Sequence, residues 1–223
     1  MDTSAMWPGA TPDRAAALAQ YRSRASFYDI ELALFEPIRQ EAISQLALRH
    51  GDTVLDVGCG TGLSLGRLQQ EVGPKGRVIG IEQCPEMLEL AQRRVKQQGW
   101  TNVTLLCAPV ETAVISVKAD AALFHFTHDI LRSPEAVAHV VAHLKPAAHV
   151  VAAGIQWAGP WAWPVNWFVL PVALHSTTSL EGLGSPWDKL AGLFGNLDVQ
   201  TRCMGAVFIA SGARGKRPRR SAT

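Results

Sequence analysis

The stretch VLDVGCGTG, residues 54–62, constrains the fold of this chain more than any other feature. An apolar run typical of a buried strand leads into glycine at every second position, at Gly58, Gly60 and Gly62. Glycine adopts positive φ angles and lets another group approach the backbone closely. A strand that passes through such a turn into a helix is typical of the ligand-binding edge of an α/β sheet. The stretch therefore predicts a layered α/β domain with a ligand at the glycine turn.

The remaining sequence continues the alternation of strands and helices. Further strands are predicted at RVIGIE, VTLLCA, AALFHF and HVVAAG, with helical periodicity between them. The segments DVQTRCM and AVFIASG are joined through Gly205 too tightly for a helical crossover, which predicts an antiparallel hairpin. The predicted α/β fold is therefore Rossmann-like and doubly wound. Its sheet has seven mostly parallel strands and ends in an antiparallel C-terminal hairpin, and N-terminal cap helices are expected over 13–26 and 36–49.

Length and charge indicate the domain organisation. The 223 residues suit a single domain. We expect residues 1–50 to form its helical cap, 51–213 its ligand-binding part with an aromatic insertion at 155–185, and 214–223 a flexible basic tail. Five positive charges lie in this tail, so the formal net charge of +2 leaves −3 for the remainder. A mildly acidic body offers no basic groove, and nucleic acid is not expected as a partner.

The cysteines and the apolar content indicate the compartment. No CxxC pair or metal-ligand spacing occurs among the cysteines, and the N-terminus lacks the regions of a secretory signal. No stretch of about 18 apolar residues is free of charge and proline. We therefore expect a soluble or peripheral protein of the reducing cytoplasm. The cysteines are Cys59, Cys84, Cys107 and Cys203.

Two carboxylates near the glycine turn indicate the charge of its ligand. Asp56 lies two residues before Gly58 and would repel a phosphate, and the glycine spacing is G-x-G-x-G rather than the G-x-G-x-x-G of dinucleotide sites. Glu82 ends the second strand, where it could accept hydrogen bonds from both hydroxyls of a ribose. The pattern favours a nucleoside with a cationic tail over a nicotinamide dinucleotide.

From about Val54 to Gly212 the chain resembles the class I S-adenosylmethionine-dependent methyltransferases. Three features carry the resemblance, namely VLDVGCGTG, the acidic residue that ends the next strand and the C-terminal hairpin. The resemblance implies S-adenosyl-L-methionine as cofactor and S-adenosyl-L-homocysteine as product. It implies that the loop from Gly58 to Gly62 holds the methionine portion, that Asp56 orients its polar end and that Glu82 grips the ribose. The implied cofactor-binding residues are Asp56, Gly58, Cys59, Gly60, Gly62, Glu82, Gln83, Pro109, Val110, Glu111, Phe124 and His125.

The adenine part of the implied site departs from the family pattern. Members often carry an aspartate just after the third strand for the adenine amino group, whereas this chain has Pro109 and Val110 there and Glu111 slightly later. The adenine is therefore expected to rely on backbone groups or on Glu111, with Gln83 beside it.

Candidate catalytic residues follow the fourth strand. Methyl transfer from a sulfonium is an in-line displacement, which mainly requires alignment of the two reactants and exclusion of water. His125, His128 and Asp129 lie next to the expected cofactor, and a histidine could take a proton from a hydroxyl or ammonium acceptor. Alternatively, His128 or Asp129 caps the loop.

An aromatic segment is the candidate acceptor site. The tryptophans of GIQWAGPWAWPVNWF can form a lid that sandwiches a flat acceptor or faces an amine. Packing over the sheet and contact with a membrane interface are the alternatives. Two N-terminal tyrosines could close over the site or project into water. The predicted acceptor-binding residues are Tyr21, Tyr28, Trp157, Trp161, Trp163 and Trp167.

The function expected from these features is methyl transfer to an oxygen or nitrogen of a small, largely apolar or aromatic molecule. Alternatives are a membrane-associated lipid headgroup N-methyltransferase and a catalytically silent subunit that binds the cofactor. The expected partner is a small molecule, with a membrane surface less favoured, and the chain is expected as a monomer or homodimer. His139 and His143 lie four residues apart on a predicted helix, but no third ligand follows, so no metal is predicted.

Overall fold

A computed structural model describes residues 35–167 and 182–213. They form one seven-stranded sheet with the strand order β3-β2-β1-β4-β5-β7-β6. The first five strands pair in parallel, and β7 pairs antiparallel with both β5 and β6. The predicted doubly wound sheet with its antiparallel C-terminal hairpin is therefore confirmed. The strands are β1 Thr53–Val57, β2 Arg77–Glu82, β3 Val103–Cys107, β4 Ala119–His125, β5 Leu144–Ile155, β6 Asp198–Arg202 and β7 Val207–Ala213.

Helices cover both faces of the sheet. One apolar core lies under the helices that precede and follow β1, and the other lies under the helices that follow β4 and precede β6. The two cores draw on alternate residues of the same strands, such as Val54 and Leu55, because successive side chains of a strand point to opposite faces. The helices are α1 Glu36–Gln45, α2 Leu65–Val72, α3 Pro85–Gln98, α4 His128–Arg132, α5 Pro134–Ala142 and α6 Asp188–Phe194, and short 3-10 helices span Val110–Thr112, Pro160–Val165 and Cys203–Gly205.

Local sequence signals account for several helix ends. Helix α3 begins at Pro85, whose missing N–H costs nothing there, and stops at Gly99, which adopts a left-handed conformation. The hydroxyl of Ser133 accepts a hydrogen bond from the Ala136 N–H at 3.1 Å and caps α5. Each of these helix ends is thus set by a residue next to it in the sequence.

Helix α1 is shorter than the predicted helix over 36–49. It ends at Gln45, and the next N–H groups, of Leu46 and Ala47, donate to carbonyl oxygens three residues back. Ala47 then adopts a φ of +50°, which an α-helix cannot continue. The predicted helix over 13–26 lies outside the described residues.

The topology brings the ends of β1, β2, β4 and β5 to one edge of the sheet. Parallel strands present their carboxyl ends together. The strand order runs outward in opposite directions from β1 and β4, and this change of direction opens a crevice between their ends. Strand β7 starts at this edge and ends at Ala213 on the opposite edge. The basic tail is therefore attached to the sheet at the edge away from the aromatic segment. Within 35–167 and 182–213, the helices are too short or too polar to cross a bilayer.

Candidate functional site

The glycine turn folds back onto β2. Gly58, Gly60 and Gly62 have φ angles of +71°, +54° and +83°, as the sequence pattern predicts. The N–H groups of Gly58 and Cys59 donate to the carbonyl of Ile81 at 2.8 and 3.0 Å. Backbone hydrogen bonds to β2 therefore hold the turn in place without a ligand.

Packing gives two of these glycines a second role. A Cβ on Gly58 would lie 2.5 Å from Thr127 Cγ2, and a Cβ on Gly62 would lie 2.7 Å from Leu65 Cδ1 and 3.1 Å from the Ala91 side chain. From the sequence, the missing side chains were expected to let a ligand approach and to allow a positive φ. At these two positions the space is instead used by the loop after β4 and by helices α2 and α3.

Two acidic side chains lie under the turn. Asp56 on β1 is 2% exposed, and its Oδ2 atom has no hydrogen-bond partner. Burial raises the pKa of Asp56 to about 7, although the nearby Arg39 opposes this rise, and the charge of Glu82 adds to it. A buried carboxylate with an oxygen left without a partner suits a cationic ligand group.

Glu82, the last residue of β2, holds the glycine turn. Its carboxylate accepts hydrogen bonds from the N–H of Gly60 at 3.0 Å and from the N–H of Cys84 at 2.8 Å. Burial raises the pKa of Glu82, and these backbone hydrogen bonds oppose the rise. Each carboxylate oxygen can accept a second bond, so this anchoring is compatible with the ribose contact that the resemblance implies.

A small pocket opens between the turn and α1. Arg39 reaches it from α1, Asp56 from β1 and His125 from the end of β4. Arg39 is 2% exposed and forms an ion pair with Glu36 one turn earlier. The lining residues are Arg39, Asp56, Gly58, Cys59, Gly60, Thr61, Leu63, Ser64 and His125.

The two candidate catalytic histidines lie on opposite faces of the sheet. His125 shares the pocket with Asp56, whereas His128 is buried against Phe208, with ring centroids 6.2 Å apart, and against Gly154. Burial lowers the pKa of His125 to about 3 and that of His128 to about 4. The Nε2 atoms of both rings have no hydrogen-bond partner. Asp129 is half-buried in the first turn of α4.

An aromatic cluster borders the pocket at the end of β4. The ring centroid of Phe126 lies 4.7 Å from that of Phe35 and 4.9 Å from that of His125. Phe126 has a φ of +57°, which is uncommon for a bulky residue and is often found at functional sites. Ile155, Leu183 and the half-buried Trp157 pack against this cluster.

The remaining predicted cofactor residues differ in exposure. Gln83 and Pro109 are half-buried near the ends of β2 and β3, and Glu111 is exposed. Val110 and Phe124 point into the core, so only their backbone could reach a ligand. None of these residues lines the pocket beneath the glycine turn.

The predicted acceptor-binding residues are only partly described. Trp167 is 72% exposed. The backbone of Trp161 and Trp163 lies in the 3-10 helix Pro160–Val165, but their side chains are outside the described part of the chain. Tyr21 and Tyr28 also lie outside the described residues.

His139 and His143 are both half-buried. His139 Nε2 lies 2.9 Å from the carbonyl oxygen of Ala113, and His143 Nδ1 lies 2.8 Å from the carbonyl oxygen of His139. Each ring is thus tied to the backbone by one nitrogen.

Sequence reasoning missed Arg39, Phe35 and Phe126. Arg39 carried a usable signal, because it lies at helical spacing with Ala42, Ile43 and Leu46, all of which are buried. A cation on the apolar face of a helix needs a partner or a ligand. Phe126 carried no signal of its positive φ, since bulky residues rarely adopt it.

Residues 54–147 match the family model described as a methyltransferase domain. The segment therefore has the sequence of a methyltransferase domain. The protein-L-isoaspartate O-methyltransferase of Ignicoccus hospitalis is 48% identical over 59 residues, or 26% of this chain and 28% of that protein. Aklanonic acid methyltransferase DauC of Streptomyces sp. strain C5 is 33% identical over 88 residues, or 39% of this chain and 40% of that protein.

Solved methyltransferases share the fold beyond this segment. An O-methyltransferase family protein from Burkholderia thailandensis superposes with a TM-score of 0.67 at 16% identity, covering 93% of this chain and 64% of that chain. The curated relatives are matched over shorter stretches, and the chain spans only 28% and 40% of the two named above.

A methyltransferase domain with this fold implies S-adenosylmethionine as the cofactor. The residues of the pocket fit the ammonium group of this cofactor, because the buried Oδ2 atom of Asp56 has no hydrogen-bond partner there. Asp56 would hold that group, Glu82 the ribose, and the backbone around Gly60 the chain between them.

Proposed function

We propose that the protein transfers a methyl group from S-adenosylmethionine to an oxygen or nitrogen of a small, largely apolar or aromatic molecule. The observation that carries this proposal is the pocket in which Asp56, the Gly58–Gly62 turn and His125 meet. The cofactor supplies an electrophilic methyl carbon bound to a sulfonium sulfur. The acceptor lone pair forms the new bond to this carbon, the C–S pair stays on sulfur, and the acceptor proton leaves.

His125 is the proposed proton acceptor. It lines the pocket and its Nε2 atom has no hydrogen-bond partner, while its lowered pKa keeps the imidazole neutral at pH 7. A neutral imidazole has one ring nitrogen with a lone pair that can accept a proton. His128 faces the opposite side of the sheet, and we assign it to packing of α4.

The apolar character of the acceptor is inferred from the cluster beside His125. Phe126, Ile155 and Leu183 are buried there, and Trp157 is half-buried. Apolar side chains bind an apolar ring better than a charged group, since burial of an unpaired charge is costly. The relatives' names give no single acceptor, because one names aklanonic acid and another names protein L-isoaspartate.

A turnover assay tests this function. Purified protein is incubated with S-adenosylmethionine and a panel of phenols, amines and thiols, and formation of S-adenosylhomocysteine and the methylated product is followed by chromatography. We expect turnover on an apolar phenol or amine. Absence of product with the whole panel, despite cofactor binding, would favour the silent subunit.

Histidine variants test the assigned base. His125→Gln should lower kcat by up to about 10²-fold, the low end for a general base, because a pKa lowered to about 3 makes the imidazole a weak proton acceptor. His149→Gln, in the middle of β5 and paired with Ala213 at the end of β7, is the matched control and should retain wild-type kcat. If His125→Gln retains activity, the base assignment is wrong although the enzyme class stands.

A further inference from the structure

We infer that β3 is an interface between two copies of this chain, which pair antiparallel along their β3 edges and so join the two sheets into one. The two-fold axis passes beside Leu105, which lies opposite Leu105 of the second copy. This inference concerns assembly and does not depend on the proposed function.

The exposure of β3 is the first support. None of its five residues is buried, although three of them are aliphatic, whereas four of the five residues of β1 are buried. Parallel strands are normally covered on both faces. The crossover from β3 to β4 contains only the 3-10 helix Val110–Thr112 and no α-helix. One face of β3 therefore lacks a covering helix.

A groove on the other face of β3 is the second support. It has a volume of about 440 Å³ and lies between β3 and the end of α3. Val95, Trp100, Val103 and Leu105 line it and are only half-buried. Burial of such apolar surface against a partner is favourable because it removes apolar area from water. A two-fold axis perpendicular to the sheet places the grooves of both copies side by side on one face of the joined sheet.

The unpaired edge of β3 is the third support. Within residues 35–167 and 182–213, β3 pairs only with β2. The carbonyl of Asn102 and the N–H of Ala108 both bond to β2. Because successive residues of a strand direct their backbone groups to opposite sides, the even-numbered residues bond to β2. The N–H and C=O groups that face outward belong to Val103, Leu105 and Cys107.

The two edge strands of the sheet differ in charge. Strand β3, VTLLC, has no charged residue and no proline, whereas β6, DVQTR, carries Asp198 and Arg202. Charged side chains and prolines are the usual protection of an edge strand against pairing with another chain. Antiparallel pairing of two β3 strands brings only uncharged side chains opposite one another, so no like charges oppose it.

A second copy fits this edge better than the rest of the same chain. The stretch before Phe35 joins the described chain beside Phe126 at the end of β4. Residues 168–181 lead back to Leu183, whose carbonyl accepts a hydrogen bond from the Trp157 N–H after β5, and the basic tail follows β7. Of these strands β4 is the nearest to β3, and β1 and β2 lie between them. A second copy instead brings an identical unpaired edge, as a two-fold interface requires.

Sedimentation velocity of the full chain between about 1 and 100 µM tests the interface. The wild type should reach twice the chain mass at the upper end of this range. Thr104→Lys should raise the Kd of the dimer by about tenfold or more, because each lysine loses water against Leu106 of the second copy and the two lysines lie diagonally across the axis. Thr201→Lys also replaces an exposed threonine, but on β6, and as the matched control it should dimerise like the wild type.

Hydrogen exchange of the wild type gives a second readout that needs no variant. The peptide that contains β3 should exchange more slowly at the highest concentration than at the lowest, because its outward N–H groups are bonded in the dimer. The peptide that contains β6 should exchange equally at both concentrations.

Three results would overturn the inference. The first is a wild type that remains monomeric throughout the concentration range. The second is a dimer that Thr104→Lys leaves intact or that both variants dissociate equally, since its interface would then lie elsewhere. The third is a β3 peptide that is protected equally at every concentration, since another part of the same chain would then cover the edge.

Discussion

At the residue scale, the site depends on the carboxylate of Asp56. Its position before the glycines is plain in the sequence, which also predicts that Asp56 binds a cationic group. Its burial was not predictable, because an aspartate in an apolar strand is buried only where α1 and β4 cover it. Burial raises its pKa to about 7, so the carboxyl group titrates near neutrality.

Asp56 should make cofactor affinity depend on pH. An ammonium ligand needs the ionised carboxylate, so the Kd for S-adenosylhomocysteine should rise as pH falls through about 7, approaching tenfold per pH unit below it. The charged and titratable groups around Asp56 are Arg39, Glu82, Cys59 and His125, of which His125 stays neutral in this range because its pKa is about 3.

Calorimetry between pH 5.5 and 8.5 measures this dependence. 5′-Methylthioadenosine, which lacks the ammonium group, should show a flat profile, and Asp56→Asn should flatten the profile of S-adenosylhomocysteine. An unchanged Kd for S-adenosylhomocysteine from pH 8 to pH 6 would contradict the assignment of Asp56.

At the scale of elements, the glycine turn joins β1 to the loop after β4. The strand and helix order was predictable because apolar periodicity, Pro85, Gly99 and Ser133 all give local signals. The contact between Gly58 and Thr127 was not, since it joins residues far apart in the chain through a loop without periodicity. For the same reason the face to which His128 points could not be read from its neighbours.

Replacing Gly58 tests this contact. Gly58→Ala and Gly99→Ala both place alanine at a positive φ, near +71° and +66°, but only Gly58 has atoms within 4 Å of the added Cβ. Gly99→Ala should lower the free energy of unfolding by about 1 kcal/mol. Gly58→Ala should lower it by roughly 1–3 kcal/mol more, because Thr127 and Ile130 must move. Urea denaturation measures both, and equal losses would show that Gly58 serves the turn alone.

At the scale of the whole molecule, the sheet collects the site from distant segments. Asp56, Glu82 and His125 come from three strands that meet at one edge, as the sequence pattern predicted. Arg39 comes from α1, which lies before the first strand and is fixed by tertiary contacts with β6. The part of the site contributed by strand ends was thus predictable, and the part contributed by the cap was not.

Calorimetric titration of the ligand-free protein with S-adenosylhomocysteine and, separately, with NADH tests the central claim most directly. The turn beside Asp56 and Glu82 should bind the sulfur nucleoside with a one-to-one stoichiometry and show no heat of binding with the dinucleotide, whose phosphates the carboxylates repel. Preference for NADH, or no binding of S-adenosylhomocysteine at millimolar concentration, would contradict the account.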